Sequence, residues 1–161
     1  MTDPTSEILT TAEKLFTTAC RARDTSGELV GEILWLWSRP GTWTALKLPT
    51  PVRPELRVEA VRRLAKSMDA STILHIAEVT IRSRHLNEDG TAGDFLDEDG
   101  KRDALLGMLC TPDGDVVYMS FIVDGRCSDV QARGDLVGTP LSPIGTFRGL
   151  MRPVPVDTTQ N

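Results

Sequence analysis

The stretch from Ser71 to Asp124 limits the fold more than any other part of the chain. Successive side chains of a strand point to opposite faces, so alternation can be read directly. Over residues 71–83, Ile73, His75, Ala77, Val79 and Ile81 share one face. Leu74 and Ile76 begin the other face, and Glu78, Thr80 and Arg82 finish it. Such a strand enters between two covered layers and emerges toward water. Two further strands, 103–111 and 115–123, flank the turn Thr111-Pro112-Asp113-Gly114-Asp115. Proline presets φ there, aspartate bonds its own backbone, and glycine accepts a positive φ. An acidic, glycine-containing loop, residues 86–101, separates the first strand from this hairpin.

Two amphipathic helices precede these strands. Asp3-Pro4 has the chemistry of a helix start, a capping carboxylate followed by a residue with no N–H to satisfy. Ile8, Ala12, Leu15, Phe16 and Ala19 recur at helical spacing, and the helix is expected to fade near Arg23. Pro54 opens the second helix, which runs toward Asp69 with Leu56, Ala60, Val61, Leu64, Ala65 and Met68 on one stripe. Glu59 stands four residues before Arg63, the favourable order for a helical ion pair.

Between the helices, residues 29–37 admit a continued helix or a strand; the strand is preferred, because Ile33, Trp35 and Trp37 alternate with Leu34 and Leu36. Arg39-Pro40-Gly41-Thr42 fits a type II turn, and Trp43 to Leu46 return. The first strand is apolar on both faces, which calls for an inner sheet position or a covered edge. Residues 49–54 hold three prolines and connect to the second helix. After Asp124 the pattern dissolves into a glycine- and proline-rich segment with one short strand expected over 145–150. The expected architecture is a two-layer α+β domain over residues 1–150 with a flexible tail, 151–161. Its mainly antiparallel sheet carries helices on one face, in the order α-β-β-α-β-β-β, plus the irregular C-terminal segment.

The core resembles a group of uncharacterised small proteins encoded by actinobacteria and their phages. The residues that carry the resemblance are Ile76-Ala77-Glu78-Val79, Asp97-Glu98-Asp99-Gly100-Lys101-Arg102-Asp103-Ala104-Leu105 and Pro112-Asp113-Gly114-Asp115. It covers about residues 5–124 and implies the fold without implying an activity. Val79 stands where an aromatic residue is common in that group.

Composition narrows the function classes. The 161 residues are 40% hydrophobic and 25% charged, which suits a globular chain and not a disordered one. A net charge of −5 opposes a nucleic-acid partner, whose phosphates need a concentrated basic face. The longest apolar run, Ile33 to Trp37, is too short to span a bilayer. Three scattered cysteines and no signal-like N-terminus point to the cytoplasm.

No catalytic signature stands out. The acidic loop holds Glu88, Asp89, Asp94, Asp97, Glu98 and Asp99, but neither Gly90 nor Gly100 completes a calcium-loop register. Its default reading is a solvated connection. His75 has no second His or Cys at metal-ligand spacing, and reads as a core histidine. Cys127, beside Arg126, is the cysteine in an exposed-looking setting, where a neighbouring cation lowers a thiol's pKa. Trp35, Trp37 and Trp43 form the strongest functional signal, because indoles dominate binding hot spots; core packing is the alternative.

The leading expectation is therefore a non-enzymatic interaction or regulatory module, with no cofactor. It would bind itself and another protein through Trp35, Trp37, Arg39 and Trp43. The second expectation is a small-ligand or divalent-metal site, or an enzyme, near loop 87–99, using His85, Asp97, Asp99 and Arg126.

Overall fold

The computed structural model describes residues 4–27, 32–39, 42–47, 54–82, 84–95, 101–138 and 151. The elements run α1 (Pro4–Ser26), β1 (Ile33–Arg39), β2 (Thr42–Lys47), α2 (Pro54–Ser67), β3 (Thr72–Arg82), β4 (Arg84–Leu86), β5 (Ala92–Phe95), β6 (Lys101–Thr111), β7 (Gly114–Val123), β8 (Arg126–Cys127) and β9 (Gln131–Gly134). A short 3-10 turn, Asp135–Val137, follows. The fold is α+β. Among the described residues, two α-helices accompany a seven-stranded sheet ordered β2-β1-β3-β6-β7-β8, with β9 also paired to β7. Strands β4 and β5 make a separate two-stranded sheet. Among the described residues no helix is long and apolar enough to cross a membrane.

The chain divides into two compact units, each assembled from three segments. The first comprises 1–32, 76–107 and 118–131, and the second 33–75, 108–117 and 132–161.

In the first unit, the helical stripe drives the packing. Ile8, Ala12, Phe16, Ala19 and Cys20 of α1 are buried. The Phe16 ring stacks on Tyr118 at 5.9 Å between centroids, and the Tyr118 hydroxyl donates to the Leu9 carbonyl at 3.4 Å. Helix α1 runs one turn beyond the expected fade at Arg23. Gly27, at φ 84°, then ends it by donating its N–H to the Arg23 carbonyl at 2.8 Å. The polar end of β3 emerges as the sequence foretells: Glu78 and Thr80 are exposed.

In the second unit, Leu34, Leu36, Val61, Ala65, Ile73, Leu74, Met108, Leu109, Cys110, Val116 and Val117 are buried. The stripe of α2 is turned relative to expectation. Val61 and Ala65 are buried, Leu64 and Met68 half-buried, but Ala60 is exposed and Leu56 is 54% exposed. The Glu59–Arg63 ion pair forms at 3.2 Å, and Arg62 joins it at 2.9 Å.

The segment after Asp124 is more regular than its composition suggests. Asp124 takes φ 51° and Gly125 φ 78°, a tight turn that reverses the chain so that Val123 meets Arg126 and Ile122 meets Cys127. Gly134 then lies against the backbone of Asp115 and Val116 at φ 150°, where a Cβ would collide with both. The connector 49–53, most of the tail and the strand expected over 145–150 lie outside the described residues, as does the Pro40-Gly41 turn.

Candidate functional site

The hairpin of β1 and β2 separates its two faces sharply. Its register pairs Trp37 with Trp43, Trp35 with Ala45 and Ile33 with Lys47 on one face, and Leu36 with Thr44 and Leu34 with Leu46 on the other. Directly paired residues of an antiparallel ladder project to the same side. Leu34 and Leu36 are fully buried. The three indoles are each half-buried, and Ala45 and Lys47 beside them are exposed. Trp37 and Trp43 lie 6.3 Å apart between ring centroids, tilted by 39°. That separation and tilt suit an attractive aromatic pair. The hairpin is tied to the chain behind it by the Ser71 N–H, which donates to the Trp37 carbonyl at 3.0 Å.

Position in the sheet matters as much as the rings. β1 is an inner strand, between β2 and β3, which answers its apolar faces. Among the described residues β2 ends the strand order. A terminal strand has one row of backbone donors and acceptors outside the ladder. Arg39 closes the hairpin opposite Thr42 across a register irregularity. Its side chain lies outside the described residues.

The residues of the second expectation are not gathered. Asp97 and Asp99 lie outside the described residues, and so does the His85 side chain. Arg126 is exposed in β8. No group of three or more His, Cys, Asp or Glu side chains suited to a metal ion occurs among the described residues. The first part of the acidic loop is a hairpin turn that uses its own carboxylate. Asp89 Oδ1 accepts from the Thr91 N–H at 2.9 Å and from its hydroxyl at 2.5 Å, which holds Asp89 below the usual carboxylate range. Asn87 closes the turn by donating to the Thr91 carbonyl at 3.0 Å. His75 is half-buried in β3.

A second cluster was not legible in the sequence, because its members are about a hundred positions apart. The last turn of α1 grips the β7–β8 hairpin. Arg23 Nη1 donates to the Gly125 carbonyl at 2.7 Å, and Nη2 reaches Glu78 Oε1 at 3.4 Å. Asp24 Oδ1 accepts from the Cys127 N–H at 2.8 Å. The Cys20 and Cys127 side chains are neighbours, and Ser120 lies beside Cys20. The exposed setting that the sequence suggests for Cys127 is only partly realised. Cys127 is half-buried, and burial first, then Cys20 and Asp24, pushes it up to about 12. Burial also raises Cys20.

The sheet face of the first unit turned away from α1 is apolar as well. Val79, Ile81, Met119 and Phe121 are half-buried there and Val123 is 51% exposed. The Arg102 guanidinium lies 3.8 Å above the Phe121 ring and covers part of that face.

Comparison with known proteins adds no relative. No family model, curated protein or solved structure matches the chain.

Proposed function

We propose that this chain is a non-enzymatic binding module that associates with a second copy, and with a protein partner, through the indole face of the β1–β2 hairpin. One observation carries the reading: the three tryptophans are half-buried on the face opposite the fully buried Leu34 and Leu36. The core is thus filled from the other side. Indoles left partly in water retain apolar area whose burial is worth roughly 25 cal/mol per Å². The terminal position of β2 supports the same reading, because strand-to-strand pairing of two copies would satisfy the outer backbone row. The two copies would meet with Trp43 and Ala45 of each near the contact.

Mass by light scattering and sedimentation, over a wide concentration range, tests this. The expected result is a concentration-dependent dimer. Ala45→Lys, at an exposed position on the indole face, should shift the dimer constant by at least tenfold while leaving the melting temperature of the dilute monomer unchanged, because it buries a charge only in the complex. A strict monomer whose indoles are shielded from acrylamide would overturn the proposal.

A further inference from the structure

The end of α1 is fastened to the β7–β8 hairpin by Arg23 on Gly125 and Asp24 on the Cys127 N–H. Ser120 Oγ donates to the Ser128 carbonyl at 2.6 Å, and the Ser128 N–H donates to the Phe121 carbonyl at 2.7 Å, which fixes the far side of the hairpin. Cys20 stands one helical turn before Asp24 and on the buried side. β8 holds Cys127 opposite Ile122 with its N–H on Asp24, so the helix end and the hairpin place the two thiols side by side. No contact of the binding face proposed above explains this pairing. Cys110, buried in β6, belongs to the other unit.

We infer that Cys20 and Cys127 are a reversible dithiol–disulfide couple, which a small-molecule disulfide such as oxidised glutathione closes to lock α1 onto β8. Cys127 is the half-buried member and meets the oxidant first. Its sulfur, giving up its proton, attacks one sulfur of the small disulfide and expels one thiolate, leaving a mixed disulfide on Cys127. The Cys20 sulfur then loses its proton, attacks Cys127 Sγ and expels the second thiolate. The protein has lost two electrons and two protons, and the small disulfide has become two thiols. Burial keeps both thiols protonated at neutral pH, so closure is slow and answers sustained oxidation, not a brief pulse.

The test exposes the reduced full chain to oxidised glutathione in mildly alkaline buffer and maps its thiols by mass spectrometry. The expected product is lighter by two hydrogens, linked Cys20 to Cys127, with Cys110 still a thiol. It should melt about 5–10 °C higher, because the bond closes a loop of ~100 residues, and dithiothreitol should reverse the shift. Cys20→Ser should instead accumulate a stable glutathione adduct on Cys127. A folded wild-type chain that keeps all three thiols after prolonged exposure would overturn the inference, as would a lasting adduct on Cys127 or a bond that includes Cys110.

Discussion

At the residue scale, Gly107 shows why the α1 stripe sits where it does. A Cβ there would lie 2.7 Å from Phe16 Cδ2 and 3.2 Å from Cε2, in a ring that is itself fully buried. The absent side chain is the seat for Phe16. Gly107→Ala is expected to destabilise the protein by about 1–3 kcal/mol, the usual cost of overpacking a filled core. A chemical-denaturation midpoint unchanged from wild type would contradict it. Thr72 is the reverse case. Its hydroxyl is buried without a hydrogen-bond partner among the described residues. Thr72→Val removes that polar group at nearly constant shape, so its stability should equal or exceed wild type by up to ~1 kcal/mol. A clear loss in the same measurement would show that the hydroxyl is paired in solution. Neither position announces itself in the sequence. A glycine in a strand and a threonine beside Ile73 look ordinary until the opposing surface is known.

At the element scale, alternation was the most legible signal. The paired faces of β1 follow from Ile33-Leu34-Trp35-Leu36-Trp37, and the β6–β7 turn from Pro112-Asp113-Gly114. Periodicity reported which residues share a face, but not which way that face turns. Leu56 is exposed for this reason: it lies in the first turn of α2, on a stripe whose burial is centred on Val61 and Ala65. β8 and β9 were illegible because strands of two and four residues show too little alternation to read. The clamp between α1 and β8 was illegible because helical and strand periods say nothing of partners this far apart in sequence.

That clamp has a pH signature. Burial raises Cys20, Cys127 and Tyr118 above their ordinary values, the last assisted by Glu13. The folded chain then holds protons that the unfolded chain has already released. Their contribution is complete below the unfolded thiol value of 9.0 and is lost as pH climbs toward about 12. The melting temperature should therefore fall across this alkaline window. Asp24 faces the same thiols and steepens the fall by repelling the thiolates. Cys127→Ser is expected to flatten the fall, as read by melting curves at graded pH. An identical slope in that variant would assign the alkaline loss to other groups.

At the scale of the whole molecule, neither unit is continuous in sequence. The first needs 118–131 and the second needs 33–75, so no single cut separates them. A fragment ending at residue 107 retains α1 and loses the Tyr118 ring, the β7 backbone and the β8 grip. It should lack the cooperative thermal transition of the full chain, as circular dichroism would report. A sharp transition in that fragment would show that α1 packs adequately on β3 and β6 alone.

The reach from Leu9 to Tyr118, 109 positions, sets a schedule for biosynthesis. The first helix leaves the ribosome with its greasy stripe complete, while the ring that caps it has yet to be translated. At ~5–20 residues per second the wait is roughly 5–20 s, far longer than a helix or a collapsed chain needs to form. Newborn copies therefore carry Ile8, Ala12 and Phe16 without their full native cover until synthesis delivers the proper lid.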